Sequence, residues 1–464
     1  MEKLLNKIKN LIPRKIFKAL QPGYHFFLSW ISSLIYGRPS EKLIIIGVTG
    51  TTGKTTSTYL IAKAMESAGY KVGFTSTAVF NNGEKEWLND KKMTMVGRFF
   101  TQKILKQMVE HGCQYGIVET TSEGIRQFRH RFINYDILVF TGLYPEHIES
   151  HGSFENYKKA KGKLFEHLAR CKTKYTNEEK KIIKPESGIK KIGLERIKKT
   201  IIINGDDEHS EYFLNFSADQ KILYTKSNKY DNLSEKFKVL KYSDVKADRK
   251  GTNFKINDLD INLNILGKFN AKNAMNAIAV ALSQEIDLKK IKTALEKISG
   301  VAGRLEKIDE GQNFTVIVDY AFEPNAVEKL YETIKFIPHN KVIHVLGSAG
   351  GGRDIKRRPK LGHIAGEKAD FVVVTNEDPY DEDPQIIINQ VAFGAEKAGK
   401  LNKENLFKIS DRREGIKKAL DLAEEGDIVL ITGKGSEQAI CVAHGEKITW
   451  DDRAVVRGIL NNEK

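Results

Sequence analysis

The chain has 464 residues, more than one ordinary domain holds, so two or three domains are expected. Its composition, 40% hydrophobic and 29% charged, fits a soluble globular protein with real cores and excludes a low-complexity chain. The formal charge of +15 admits anionic partners, yet much of the excess lies in Lys-rich stretches such as residues 172–199, where acids are interspersed and aromatics nearly absent. That stretch reads as solvated surface, and no nucleic-acid partner is expected. Cys113, Cys171 and Cys441 are far apart and form no pair or metal spacing, which fits buried thiols in a reducing cytoplasm.

In the first forty residues, Leu4, Ile8, Leu11 and Ile12 recur at helical spacing among lysines, followed by the apolar run "YHFFLSWISSLIY". That run is short of the roughly twenty residues needed to cross a bilayer, and no signal-peptide cleavage site follows it. Two readings stay open: packing against the next domain, or a basic amphipathic helix lying on an anionic membrane surface through residues 1–36. From residue 42 onward, continuous apolar runs alternate with helical patterns. The runs include "KLIIIGV", "YGIVE" (115–119), "DILVF" (136–140), "TIIIN" (200–204), "FTVIVD" (314–319), "KVIHVLG" (341–347), "DFVVVT" (370–375) and "DIVLIT" (427–432). Thr55–Ala68 and Lys272–Leu282 are helical in pattern. Runs that are apolar throughout predict strands buried on both faces of a mostly parallel α/β sheet. A boundary is expected at "ISGVAGRLE" (298–306).

The stretch "GVTGTTGKTT" (47–56) ends the first strand in a glycine-rich loop and opens a helix. Its G-x-x-G-K-T spacing is tighter than the commonest phosphate loop, but the physics is intact. Gly50, Thr51, Thr52 and Gly53 bring backbone N–H groups toward phosphates at a helix N-terminus. Lys54 can reach phosphate oxygens, the Thr55 hydroxyl can ligate Mg²⁺, and Thr56 continues the turn. Glu119 ends a second strand, where open α/β sheets collect their ligands. His147 follows a third, with Glu146 and His151 nearby.

Together these stretches resemble the Mur ligases, the ATP-dependent amide-bond-forming enzymes of peptidoglycan precursor synthesis, in the tripeptide-synthetase branch. The resemblance spans roughly residues 42–458. It rests on "GVTGTTGKTT", "ETTS", "FTGLYPEHIESHGSFENYKKAKGKLF", "NGDD" (204–207), "LGKFNAKNAMNAIA" (266–279), "GVAGRLE" (300–306), "VDYAFEPNAVE" (318–328), "GSAGGGRDIKRRPKLG" (347–362), "EDP", "DRREGIKKAL" (411–420) and "GKGSE" (433–437). It implies a short segment (1–40) in place of the usual UDP-binding domain, a central phosphate-loop ATPase domain with a mostly parallel sheet (41–299), and a smaller Rossmann-like α/β domain (300–464).

The resemblance also implies roles. Lys161 matches a lysine that is carbamylated, and with Glu119 and His147 it would hold the second of two Mg²⁺ ions. Asn270, Arg304 and Asp319 match residues around ATP. Thr94, Thr121, Gln127 and Arg129 match those that grip a UDP-MurNAc-peptide-like acceptor. Arg353, Glu377, Asp378, Pro379, Tyr380, Gly433 and Glu437 match those that bind the incoming amino acid. The implied enzyme is a cytoplasmic monomer. It forms an acyl-phosphate on the acceptor's D-Glu carboxylate and lets a diamino acid displace the phosphate.

Several positions depart from the family pattern. The diaminopimelate signature Asp-Asn-Pro-Arg reads Glu377-Asp378-Pro379-Tyr380, which removes the arginine that would pair a distal carboxylate. Lysine therefore stands beside diaminopimelate as the amino acid, with Asp378 or Glu382 available to a side-chain amine. Phe322 replaces a histidine, and Thr94-Met95-Val96 stands where Thr-Thr-Pro is usual. Rival readings are a folylpolyglutamate-like or amino-acid-polymerising ligase of the same superfamily, and a membrane-recruited ATPase without ligase chemistry.

Overall fold

The structure, a computed structural model, describes residues 14–145, 151–177, 179–182, 194–233, 237–352 and 355–462. The helical pattern around Leu4 to Ile12, together with His147 and Arg353, lies outside the described residues. The chain divides into two units. One comprises Met1–Glu86, Met93–Lys241 and Asn273–Ile291; the other Trp87–Lys92, Tyr242–Lys272 and Lys292–Lys464.

The first unit opens with helix α1 (Arg14–Ile35), which carries Pro22 inside it. The main elements then run β1 (Ile44–Thr49), α2 (Lys54–Glu66), β2 (Val72–Thr75), β3 (Val79–Asn81), α3 (Arg98–Glu110), β4 (Tyr115–Glu119), α4 (Ser122–Arg126), β5 (Ile137–Phe140), α5 (Phe154–Leu168), β6 (Thr200–Asn204) and β7 (Gln220–Thr225). The strands lie in the order β7-β6-β5-β1-β4-β2-β3 and are parallel except for the β2–β3 pair. Every residue of β1, β4, β5 and β6 is buried, as continuous apolar runs require of a sheet covered on both faces. Register sets Val48 of β1 opposite Glu119 of β4, and Thr49 opposite Phe140 of β5. The loop leaving β1 therefore emerges between the ends of its two neighbours.

Strand β8 (Lys238–Asp248) pairs with β7 through Lys241. From Tyr242 onward it belongs to the second unit, where it forms an antiparallel ladder with β9 (Gly251–Ile256) and β10 (Leu259–Leu263). Helix α6 (Phe269–Ser283) follows. The rest of the second unit is β11 (Glu306–Ile308), β12 (Thr315–Asp319), α7 (Pro324–Ile334), β13 (Val342–Leu346), α8 (Arg357–Lys368), β14 (Phe371–Thr375), α9 (Pro384–Lys397), β15 (Leu406–Ile409), α10 (Arg412–Asp421), β16 (Ile428–Thr432) and α11 (Asp452–Asn462). The sheet order is β11-β12-β16-β13-β14-β15, parallel apart from β11. Alternate strand residues feed two cores. Ile317, Val372, Val374 and Leu430 face Val327, Leu361 and Val391, while Val316, Val318, Val373 and Val429 face Ile416 and Val456. The observed class is thus the expected one: α/β, with a large, mostly parallel sheet and a smaller C-terminal sheet of Rossmann-like layering.

Two lysines of the Lys-rich segment depart from the solvated surface expected of it, while Lys172, Lys181 and Lys198 are exposed. Lys174 and Lys199 turn inward, only 4% and 7% exposed. Their ammonium groups lie 2.5 and 2.9 Å from the two oxygens of Asp136, a carboxylate fully shielded from solvent. Asp136 also accepts from Ile45 N at 2.8 Å, tying the start of β1 to β5. Burial lowers the Lys174 pKa to about 8 despite that partner. Removing one member of a buried charge group strands the others without compensation. Asp136→Ala is accordingly expected to cost about 3–5 kcal/mol, read as a fall in the thermal unfolding midpoint. An unchanged midpoint would refute the role given to this cluster.

Candidate active site

The phosphate loop is shaped by how closely its neighbours approach. Gly50 has φ 152°, and a Cβ there would stand 2.0 Å from Thr141 Oγ1 and 2.9 Å from the Gly142 carbonyl oxygen. Gly53 has φ 77°, where a Cβ would stand 2.3 Å from Asn273 Oδ1. Only glycine meets both demands at low cost. Thr51 N donates to Gly142 O at 2.8 Å, and Thr141 Oγ1 donates to Thr52 O at 2.6 Å. The segment Thr141–Leu143 is held in turn by Asn204 Nδ2 on Thr141 O (3.1 Å) and by Asp207 Oδ2, which accepts from Leu143 N (2.7 Å). The motif "NGDD" therefore braces the wall against which the loop is folded.

Helix α2 begins at Lys54 with no side-chain cap, so its N-terminal dipole faces the loop. Lys54 Nζ folds back onto Thr51 O at 2.7 Å. Thr55 Oγ1 lies 3.1 and 3.3 Å from the two oxygens of Glu119, and Thr56 is buried beside it. Glu119 is wholly buried and also accepts from Thr77 N at 2.8 Å. The Thr77 hydroxyl is 3.0 Å from both Glu119 Oε1 and Thr94 Oγ1, which links Thr94 to the carboxylate.

Lys161, on α5, is 1% exposed. Its Nζ donates to Gly50 O at 2.8 Å and lies 4.7 Å from the Tyr157 ring centroid, while Tyr157 OH is 3.2 Å from Thr51 Oγ1. His151 Nε2 is 3.1 Å from Ser122 Oγ, and burial together with Arg126 holds its imidazole below the ordinary range. Thr121 caps α4 by accepting from Gly124 N at 3.1 Å. Gln127 Oε1 accepts from Arg129 Nη2 at 2.6 Å, and Arg129 also donates to Met95 O.

These residues fit a nucleotide and a metal. The glycines and the uncapped helix suit phosphate oxygens, and the Thr55–Glu119 pair offers a hydroxyl and a carboxylate oxygen. Among the described residues, no group of three or more His, Cys, Asp and Glu could hold a metal on its own. One carboxylate beside one hydroxyl matches what Mg²⁺ usually takes from protein, the rest of its shell being waters and phosphates.

In the second unit, Asp319 accepts from Leu305 N and Ala321 N, each at 2.7 Å. Burial pushes its carboxyl up against the opposing pull of Arg304. The Arg304 guanidinium lies 4.4 Å from the Tyr320 ring centroid, and Tyr320 OH donates to Glu437 at 3.1 Å. Asn270, 5% exposed, donates to Leu266 O at 2.6 Å. Asp378 is gripped by Lys92 at 2.6 Å, Lys434 at 3.0 Å and Cys441 N at 2.7 Å, and Lys434 reaches Glu437 at 2.7 Å. Burial favours the neutral form of Asp378, but Lys434 and Lys92 outweigh it and hold the carboxyl below the usual range. Burial and the Asp378 charge push the neighbouring Glu377 up. Glu377 Oε2 has no hydrogen-bond partner among the described residues, and a Cβ on Gly433 would stand 2.5 Å from it. Pro379 and Tyr380 complete the turn, with Tyr380 at φ 51° and its N–H donating to Cys441 O. Sequence reasoning missed Thr77, Lys92, Tyr320 and Lys434. Lys434 and Tyr320 carried a signal, as members of "GKGSE" and "VDYAFEPNAVE", whereas Thr77 and Lys92 lie outside the quoted motifs.

Two family models match this chain: the Mur ligase middle domain over residues 48–281 and the Mur ligase glutamate ligase domain over residues 303–435. The chain belongs to the Mur ligase family. It is thereby an ATP-dependent amide ligase. It is 36% identical over 447 residues to a UDP-N-acetylmuramyl-tripeptide synthetase of Roseiflexus sp. (strain RS-1), covering 95% of this chain and 82% of that protein. It is 34% identical over 440 residues to a UDP-N-acetylmuramoyl-L-alanyl-D-glutamate–2,6-diaminopimelate ligase of Geobacillus thermodenitrificans (strain NG80-2), covering 94% and 82%. A solved structure of a ligase of the latter name aligns with TM-score 0.58 and 25% identity over 96% of this chain and 83% of the other.

The Mur ligase loop makes a sharp demand on Gly50. Gly50→Ala is expected to weaken binding of a non-hydrolysable ATP analogue at least tenfold, because the added Cβ collides with Thr141 and the φ is strained. Gly97→Ala, where nothing lies within 4 Å, is the control expected to bind as wild type. Equal affinity in the two variants would sink this account of the loop.

Proposed function

We propose that this Mur ligase joins the D-Glu carboxylate of a UDP-N-acetylmuramoyl-dipeptide-type acceptor to a diamino acid, lysine or diaminopimelate, through an acyl-phosphate. The observation that carries the reading is Lys161, a lysine 1% exposed, set on the carbonyl of the glycine that opens the phosphate loop. Carboxylate attack on the γ-phosphate brings two anions together, so the site needs concentrated positive charge that water cannot screen. Lys54 and the α2 N-terminus supply part of it. Thr55 and Glu119 would hold one Mg²⁺, and Lys161 as a carbamate, with Glu119 and His147, a second. Those ions would neutralise charge on the transferring phosphoryl group. Carbamylation would form one N–C bond between the Lys161 amine and CO₂ with release of one proton, turning a donor into a carboxylate-like ligand.

Thr94, Thr121, Gln127 and Arg129 are assigned to the acceptor's peptide. Asn270, Arg304 and Asp319 are assigned to the nucleotide, and the Glu377–Tyr380 stretch with Arg353, Gly433 and Glu437 to the amino acid. Asp378 is held by two lysines, and Glu382 accepts from Gly352 N and pairs with Arg358. Among the described residues, Glu377 Oε2 is a buried acceptor without a hydrogen-bond partner, which supports its receiving the ammonium of the amino acid.

Phosphate release with UDP-MurNAc-L-Ala-D-Glu should be stimulated by lysine or diaminopimelate. No stimulation by any amino acid in a panel would end the proposal. Lys161→Ala should lower turnover at least a hundredfold, with partial rescue by added formate or acetate; full activity in that variant removes the carbamate. Because Glu377 is pushed up, its carboxylate forms as pH rises. Amino-acid kcat/KM should rise through that raised pKa, and Glu377→Gln should flatten this limb of the profile. An identical profile in the variant would exclude Glu377 from the role.

A further inference from the structure

Helix α1 presents its faces the opposite way from an ordinary surface helix, which buries its apolar stripe and shows polar side chains to water. The residues that α1 turns to the body of the first unit are Ser29, Ser32 and Ser33, none more than 1% exposed. Ser29 Oγ lies 2.9 Å from Phe128 O and accepts from Arg98 Nε at 3.1 Å. Ser32 and Ser33 donate to Ser29 O and Trp30 O within the helix, at 2.9 and 2.8 Å. The inner contact is therefore small, polar and already satisfied.

The outer face is large and apolar. Leu20, Tyr24, Phe27 and Leu34 stand at i, i+4, i+7 and i+14, one stripe of a helix, with Trp30 and Ile35 flanking it. These six side chains are 40–62% exposed. Seven of the sixteen exposed large hydrophobics among the described residues fall within residues 20–35, so this is a patch and not the scatter normal to a protein surface. Such a patch needs a cover, and the body of the unit is on the other side of the helix.

The charge around the patch says what covers it. Residues 3–40 hold seven Lys and Arg, Lys15, Lys18 and Arg38 among them, and no Asp or Glu. A second copy seated on the same face would bring the same cations and no acid to meet them. An anionic bilayer answers both features, with acyl chains for the stripe and lipid phosphates for the cations. Tyr24 and Trp30 are the residue types that favour headgroup depth, where one end of the ring is dry and the other wet. No helix among the described residues is long and apolar enough to cross a membrane, so α1 would lie in the plane of the surface.

We propose that the outer face of α1 docks this ligase on an anionic lipid surface, an interaction that goes beyond the reaction proposed above and does not depend on it. The full-length protein is floated with vesicles of equimolar phosphatidylcholine and phosphatidylglycerol, and with vesicles of phosphatidylcholine alone. Partitioning should be at least about tenfold stronger on the anionic vesicles and should weaken as salt is raised. Phe27→Ser/Leu34→Ser/Ile35→Ser should lower it at least about tenfold, with binding of a non-hydrolysable ATP analogue within twofold of wild type. Brominated acyl chains should quench part of the wild-type tryptophan fluorescence, and Trp30→Phe should remove that part; this readout stands even if the triple variant unfolds. Absence of vesicle binding, equal binding to the neutral vesicles, or quenching that survives Trp30→Phe overturns the proposal. A dimer that ignores vesicles and becomes a monomer in the triple variant would instead assign the face to a second copy.

Discussion

Everything in the first unit's site depends on one close approach: the phosphate loop against the segment that follows β5. Gly50 has no room for a side chain on the Thr141 side, and its carbonyl accepts from Lys161. The loop is thus clamped between a wall and a lysine that reaches it from α5. The wall is itself fixed by Asn204 and Asp207, residues from the strand beyond. Three strand ends and one helix therefore set the position of every backbone N–H that would meet phosphate. Preorganisation of this kind lets dipoles act without reorganising at the moment of reaction.

The same clamp explains why Lys161 is legible only by resemblance. In the sequence it is one of several lysines on an amphipathic helix, and periodicity gives no reason to single it out. Its burial follows from the tertiary placement of α5 against a loop about a hundred residues earlier. The strands were legible because they are local: uninterrupted apolar runs of five or six residues, each ending in a turn or polar residue. Glu119 was legible for a related reason, since a carboxylate closing an apolar strand is conspicuous wherever it lies. Partners made across long separations left no such mark. Lys174 and Lys199 looked like solvated charge, and only the fold shows Asp136 between them. The β8–β10 ladder was missed because its strands are interrupted by Lys, Asp and Asn, with β8 and β10 partly exposed, and lack the uninterrupted apolar runs that betray the parallel strands.

The second unit handles buried charge by a different device. Glu377 and Asp378 are adjacent carboxylates whose environments push them in opposite directions, one up by burial and its neighbour's charge, the other down by two lysines. Pairs driven apart in this way mark places where one group is structural and the other is available to a ligand. Asp378 fixes the turn, with Lys92, Lys434 and Cys441 N all bonded to it. Among the described residues, Glu377 keeps an oxygen without a hydrogen-bond partner at the cost of its own burial.

That division bears on the altered signature. With Tyr380 in the position of an arginine, a distal carboxylate loses its bidentate partner, but positive charge is not absent nearby, because Lys92 and Lys434 already sit within the same cluster. Both lysines are committed to Asp378 and Glu437, so drawing one toward a substrate carboxylate would break a buried pair, and uncompensated buried charge is expensive. An incoming ammonium at Glu377 breaks no pair among the described residues: it meets an oxygen without a hydrogen-bond partner there and stabilises the ionised form that burial disfavours. The charge arrangement thus supports recognising the amino acid through its ammonium groups more than through a second carboxylate, which weights lysine over diaminopimelate within the proposed pair.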